Sequence, residues 1–166
     1  MKQKENKFPE GFPLGRRFGL LMRLYFGALT KKLEQLDIDR HYSVLLLIES
    51  ADVHCNQQYL SDILNIDKTA MVRMIDYLVE KGYIVRAVNP ADRRAHRIQL
   101  TSKAKKALPR IHKAIDDLNG KATKGISSRK LKQFYADLNT VAENLTHEPR
   151  HTFIMNFEKV KSVHRK

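Results

Sequence analysis

The sequence predicts a mainly α-helical fold that carries one small β-hairpin. Three observations lead there. Apolar residues recur at three- and four-residue spacing through most of the chain, which is the helical period. One stretch, Tyr83 to Leu100, reads instead as two short extended runs around an Asn89-Pro90 turn. Finally, 166 residues with 42% hydrophobic content suffice for one compact domain, or a small domain plus a dimerisation element, rather than a disordered chain.

Taken in order, Met1 to Pro13 lacks periodicity. Leu14 to Leu36 is expected to be helical, because Phe18, Leu21, Met22, Tyr25, Leu29, Leu33 and Leu36 repeat at three and four. His41 to Ala51 is a second, strongly apolar helix around Tyr42, Leu45, Leu46 and Ile48. A third runs from Asn56 to Leu64. Asn56 is a good N-cap, Tyr59, Leu60, Ile63 and Leu64 supply an apolar face, and Asn65 tolerates the left-handed stop. Asp67 then caps a fourth helix, Lys68 to Lys81, closed by Gly82. Met71, Met74, Ile75 and Leu78 form its buried stripe. Lys68, Thr69, Ala70, Val72 and Arg73 crowd its N-terminal half on or beside the other face.

Tyr83 to Val88 and Arg97 to Leu100 are expected to pair as strands, since Asn-Pro initiates turns and disfavours helix before it. Alternation sends Ile98 and Leu100 one way and Arg97 and Gln99 the other, with Arg93 and Arg94 at the hairpin tip. Thr101 or Ser102 caps the next helix, which runs to about Asn119 with Ala104, Leu108, Ile111, Ile115 and Leu118 inward. Pro109 implies a kink or an interruption there. Gly120 to Gly125 is a break. Ser127 or Ser128 starts a last helix through Leu145, whose apolar face is Leu131, Phe134, Tyr135, Leu138, Val141, Ala142 and Leu145. No internal repeat is visible.

Two short helices joined by a tight turn, the second polar and basic at its start, describe a helix-turn-helix. The hairpin that follows makes it winged. A guanidinium pair at the wing tip suits phosphates and the acceptor-lined minor groove, being planar, permanently charged and rich in donors.

Leu64-Asn65-Ile66-Asp67-Lys68-Thr69, Arg73-Met74-Ile75-Asp76-Tyr77-Leu78, Glu80-Lys81-Gly82-Tyr83-Ile84 and Asp92-Arg93-Arg94 through Leu100-Thr101 closely resemble the multiple-antibiotic-resistance regulator (MarR) family. The resemblance is specific over Asn56 to Thr101 and general over Leu14 to Leu145. Ala70, Val72 and Tyr77 depart from the residues common there: Thr or Ser, Thr, and a basic residue. It implies a sequence-specific transcriptional regulator that binds a pseudo-palindromic operator in double-stranded DNA as a homodimer. It also implies repression, relieved by a small anionic or aromatic ligand held between the dimerisation helices and the DNA-binding lobe.

The expected organisation is a tail and dimerisation helix over 1–36, a winged helix-turn-helix over 37–101, dimerisation helices over 102–145 and a basic tail over 146–166. DNA contact is expected from Lys68, Thr69, Ala70, Val72 and Arg73 on the recognition helix, and from Arg93, Arg94, His96 and Arg97 on the wing. Asp92 is expected to brace a wing arginine by a charge-assisted hydrogen bond. Arg73 has an alternative in Asp76 or Tyr77 on its own helix. Dimerisation falls to Leu21, Tyr25, Leu131, Phe134, Leu138 and Leu145, because apolar faces this long exceed what one small domain covers.

The formal net charge of +13 points to a polyanionic partner. Its distribution is more telling than its sum, since Asp92 is the only acid between Arg86 and Lys113. A protein that coats DNA by charge, with little sequence preference, is the competing reading. Other classes lack support. The longest aliphatic run, Val44 to Ile48, is far short of the ~20 residues a membrane span needs. Arg16-Arg17 is not followed by an export signal's uninterrupted apolar region, so a cytoplasmic protein is expected. Cys55, the one cysteine, builds no internal disulfide and suits a reducing compartment. Its place beside a helix start leaves a lowered pKa, and hence redox sensing, as an alternative to inert burial. His147 and His151 stand at i and i+4 with Pro149 between them, and neither a carboxylate nor a thiol joins them, so no metal is expected. No phosphate-binding glycine motif, His-Glu-x-x-His or nucleophile elbow occurs, so neither an enzyme nor a cofactor is expected.

Overall fold

The computed structural model describes residues 8, 10–51, 55–89 and 92–148, with the backbone alone for 88, 89 and 92–96. Helix α1 (Leu14–Leu33) runs into a 3-10 turn (Glu34–Leu36), then come α2 (Tyr42–Ser50), α3 (Gln57–Leu64) and α4 (Lys68–Glu80). Strands β1 (Ile84–Asn89) and β2 (Asp92–Leu100) form a two-stranded antiparallel sheet. Helices α5 (Ser102–Ala122) and α6 (Ser128–Thr146) follow. This is a winged helix-turn-helix: mainly α, with a small β wing.

Local chemistry sets the element ends. The Asn56 side chain accepts from the Tyr59 N–H at 2.8 Å, and Asp67 accepts from the Ala70 N–H at 2.9 Å, so each helix start has one of its orphan donors satisfied. Asn65 takes the left-handed conformation (φ 50°) between α3 and α4, and Gly82 takes it (φ 70°) after α4. Thr101 Oγ1 accepts from the Ala104 N–H at 3.3 Å and so starts α5.

The chain divides into two units, residues up to Ala122 and residues from Thr123 on. The core of the first draws Met71, Ile75 and Leu78 from α4, Leu60 from α3, and Val44, Leu45 and Ile48 from α2. Ile84 and Ile98 of the sheet, Ala104, Leu108 and Ile111 of α5, and Leu29 and Leu33 of α1 complete it. Each of the larger side chains contributes roughly 1.5–3 kcal/mol of burial, and those of Met71, Ile75 and Leu78 fix α4 rotationally about its axis. In the second unit, α6 buries no residue. Leu131, Leu138 and Val141 are half-buried, while Phe134, Tyr135 and Leu145 are exposed.

Three sequence expectations need correcting, and one is narrowed. On α3, Leu60 is buried and Leu64 half-buried as expected, but Tyr59 and Ile63 are exposed and Ser61 turns inward. Ser61 is tolerated because its hydroxyl donates to the Ile66 carbonyl at 2.5 Å. Of the kink or interruption expected at Pro109, the interruption does not occur. Pro109 itself is exposed, on the side of α5 away from its buried residues. The break after α5 starts at Thr123, since Gly120 and Lys121 remain helical. Strand β2 begins at Asp92 rather than Arg97. Its register moves from Val88↔His96 to Asn89↔Asp92, so Arg93, Arg94 and Ala95 form a bulged segment rather than a bare tip. Among the described residues, no helix is long and apolar enough to cross a membrane.

Candidate nucleic-acid interface

Helix α4 has two faces. Met71, Ile75 and Leu78 are fully buried, and Lys68, Thr69, Val72, Arg73 and Asp76 are exposed. Those exposed positions follow the i, i+1, i+4, i+5, i+8 rule of one helical stripe. Ala70 is half-buried at the margin between the two faces. The stripe starts at the helix N-terminus, where uncapped backbone N–H groups and the helix dipole favour an anion. Four of the five expected α4 contacts thus share one open surface.

Asp76 is the acid on that surface, and it is neutralised from the wing. Arg86 Nη2 of β1 donates to Asp76 Oδ1 at 2.5 Å. Arg73 has no ion pair among the described residues, so the alternative in which it pairs along its own helix does not hold. Sequence reasoning passed over Arg86. The available signal was a lone acid, Asp76, at the fifth position of a stripe that otherwise carries Lys68, Thr69, Val72 and Arg73.

Besides the Arg86–Asp76 pair, one backbone bond ties the wing to the segment before α3, and another closes the base of the hairpin. The Ile98 N–H donates to the Cys55 carbonyl at 2.9 Å, and Thr101 N–H to the Tyr83 carbonyl at 3.0 Å. Ile98 is buried and Gln99 exposed, as alternation requires. Arg97 is half-buried, and its Nε has no hydrogen-bond partner among the described residues. The side chains of Asp92, Arg93, Arg94 and His96 lie outside the described residues, as do His151 and the basic tail from 149.

The loop before α2 clamps the other end of α4. Asp37 and Asp39 both have positive φ, 49° and 46°. The Tyr77 hydroxyl donates to the Asp37 carbonyl at 3.0 Å, Lys81 Nζ donates to its carboxylate at 2.6 Å, and the Tyr83 hydroxyl donates to the Leu36 carbonyl at 2.5 Å. Burial, aided by Asp37, pushes the Tyr77 hydroxyl pKa up, and the Asp37 hydrogen bond raises that of Lys81. His41 stacks edge-on against Tyr77, with ring centroids 4.9 Å apart, and burial lowers its pKa. Tyr77 therefore fastens α4 to the loop before α2 through its hydroxyl and its ring.

Cys55 is buried, and burial raises its thiol pKa rather than lowering it. A reactive thiolate at the start of α3 is not what the fold builds. Among the described residues, no cluster of three or more His, Cys, Asp or Glu could hold a metal.

The expected dimerisation residues divide between the units. On α1, Leu21 is exposed and Tyr25 half-buried. On α6, Leu131 and Leu138 are half-buried, and Phe134 and Leu145 exposed.

The MarR family model matches residues 38–95, which contain α2, α3, α4 and most of the wing. Among solved structures, a MarR transcriptional regulator from Methanosarcina mazei Go1 is 30% identical with a TM-score of 0.72, over 80% of this chain and 96% of that one. The transcriptional repressor CouR, solved bound to a 23-mer DNA duplex, is 25% identical with a TM-score of 0.72, over 82% of this chain and 99% of that one. CouR from Rhodococcus jostii RHA1, solved bound to p-coumaroyl-CoA, is 25% identical with a TM-score of 0.69, over 84% of this chain and 95% of that one. With α4, the wing and their anchoring pair in place, and a relative matched along nearly its whole length, this chain belongs to the MarR family of transcriptional regulators.

Proposed function

We propose that this protein is a homodimeric, sequence-specific repressor of transcription. The observation that carries the reading is the α4 stripe of Lys68, Thr69, Val72 and Arg73. It is exposed along one side of a helix whose other side is locked into the core. Each α4 enters a major groove of a pseudo-palindromic operator, and Arg93, Arg94, His96 and Arg97 of each wing meet the flanking minor groove and phosphates. Val72 favours sequence reading over simple coating of DNA, since an exposed valine amid polar neighbours suits a thymine methyl. CouR's solved complex with DNA supports the mode of action, and its complex with p-coumaroyl-CoA supports release by a small anionic or aromatic ligand. Such a ligand works only by binding one arrangement of the two lobes better than the other. The uncovered apolar residues of α6 support the dimer. The decisive test is anisotropy titration of DNA from upstream of the protein's own gene against random duplex at two salt concentrations. Tighter binding to the upstream DNA at both is expected, and equal affinity would return the reading to a DNA-coating protein.

A further inference from the structure

A second basic surface lies apart from the recognition stripe. Over its first half α5 exposes Lys105, Lys106, Arg110 and Lys113, while Ala104, Ala107, Leu108 and Ile111 of the same helix are buried. Lys106, Arg110 and Lys113 stand at i, i+4 and i+7, a stripe about 10 Å long at the helical rise. Among the described residues, Lys105, Lys106 and Lys113 have no carboxylate within ion-pair distance. Arg110 donates at 2.6 Å to the neutral amide of Gln35. The first turn of α5 contains no acid to offset these lysines. These exposed cations have no internal counter-ion among the described residues, so their charge is available to an external polyanion.

The recognition surface does not supply it. Lys103 Nζ donates to the Lys81 carbonyl at 2.7 Å, and Thr101 Oγ1 lies 2.7 Å from the Gly82 carbonyl. The start of α5 therefore abuts the C-terminal end of α4, about 20 Å along the helix from Lys68. Strands β1 and β2 carry the wing tip away from that junction. A duplex gripped by the start of α4 and the wing tip faces the opposite end.

We infer that the first half of α5 is a sequence-independent phosphate-binding surface for a second DNA segment, held beside the operator. The inference rests on the DNA-binding reading above and extends it to a second site. Long, flexible lysines suit backbone phosphates, which need charge but no fixed geometry and carry no sequence information. A regulator with such a surface bridges or transfers between DNA segments instead of holding one alone.

The test uses the full-length protein saturated with a donor-labelled operator duplex, to which an acceptor-labelled random duplex is added. Wild type should give energy transfer that declines with salt as counterions are released. Combined Lys105→Gln, Lys106→Gln and Lys113→Gln substitution should weaken second-duplex binding by about tenfold or more and flatten its salt slope by about three contacts. Operator binding and its slope should stay as in wild type, which also shows that the variant is folded. Lys→Arg at the same three positions should retain energy transfer. An operator complex that captures no second duplex, or a Gln variant that captures it as well as wild type does, would overturn the inference. So would capture of phosphatidylserine vesicles by the operator complex where random duplex fails, since the surface would then serve a membrane. Operator binding that fails in the wild type overturns the regulator reading as well, and donor anisotropy reports that separately.

Discussion

Arg86 of the wing donates to Asp76 of the recognition helix at 2.5 Å, so the two elements expected to touch DNA are coupled to each other. Both side chains are substantially exposed, 36% and 56%, and such pairs contribute at most about 1 kcal/mol to stability. Arg86→Ala should therefore lower the urea midpoint only slightly. It should weaken operator binding more than that, because it leaves an uncompensated carboxylate beside the phosphates and frees the wing base. A double-mutant cycle with Asp76→Ala separates the effects, and strictly additive losses in DNA affinity would show that the pair does not couple the elements.

Dimerisation is expected to depend on α6, none of whose residues is buried. Phe134→Asp with Leu138→Asp should give monomers that bind DNA poorly while keeping the helical far-ultraviolet signal. Sedimentation checks this directly. A wild-type protein that is monomeric at micromolar concentration would refute the dimer.

The wing and the recognition helix should fail differently. Arg94→Ala should weaken specific and non-specific binding alike and flatten the salt slope by about one contact. Substitutions at Thr69 or Val72 should alter base preference, by roughly 1–3 kcal/mol at a single base pair. Titrations against operator and random duplex at several salt concentrations distinguish the two. Full affinity in Arg94→Ala together with unchanged preference in the other variants would rule out this docking.

Cys55 should be a slow thiol. Burial raises its pKa, so little thiolate forms near neutrality, and a thiol-reactive disulfide reagent should modify it quickly only after denaturation. Cys55→Ser should leave DNA binding and its response to mild peroxide unchanged. Peroxide release of operator from wild type but not from the variant would make Cys55 a sensor after all.

His41 predicts an acid limb of stability. Burial holds its pKa below the ordinary 6.5, with Asp39 opposing and Arg40 reinforcing that shift, and its Nδ1 is enclosed without a hydrogen-bond partner. The unfolded chain therefore binds the proton more readily. The stabilisation is fully present above about pH 6.5 and is lost as pH falls through the folded value. His41→Phe, which keeps a ring against Tyr77, should make the urea midpoint less pH-dependent between pH 7.5 and 5.5. Identical pH profiles for the two proteins would remove His41 from this role.

The elements were legible in the sequence because their boundaries are set within three or four residues. Asn56 and Asp67 accept from N–H groups three residues on, and Asn65 and Gly82 supply the left-handed stops. The α4 stripe of Met71, Ile75 and Leu78 was equally readable, since periodicity records which side of a long amphipathic helix faces inward. Tertiary structure decided what periodicity leaves open. Helix α3 spans only Gln57–Leu64, too short for its pattern to separate two faces a residue apart, so packing kept the expected Leu60 inside, turned Ser61 in beside it and left Ile63 in water. Pro109 could have interrupted α5, and the burial of Leu108 and Ile111 beside it favours the continuous helix that forms. Asp76 with Arg86, and Asp37 with Lys81 across 44 residues of sequence, meet only because the core brings their backbones together. A cap is satisfied by its own neighbours, whereas an ion pair between distant segments exists only once packing has fixed both ends.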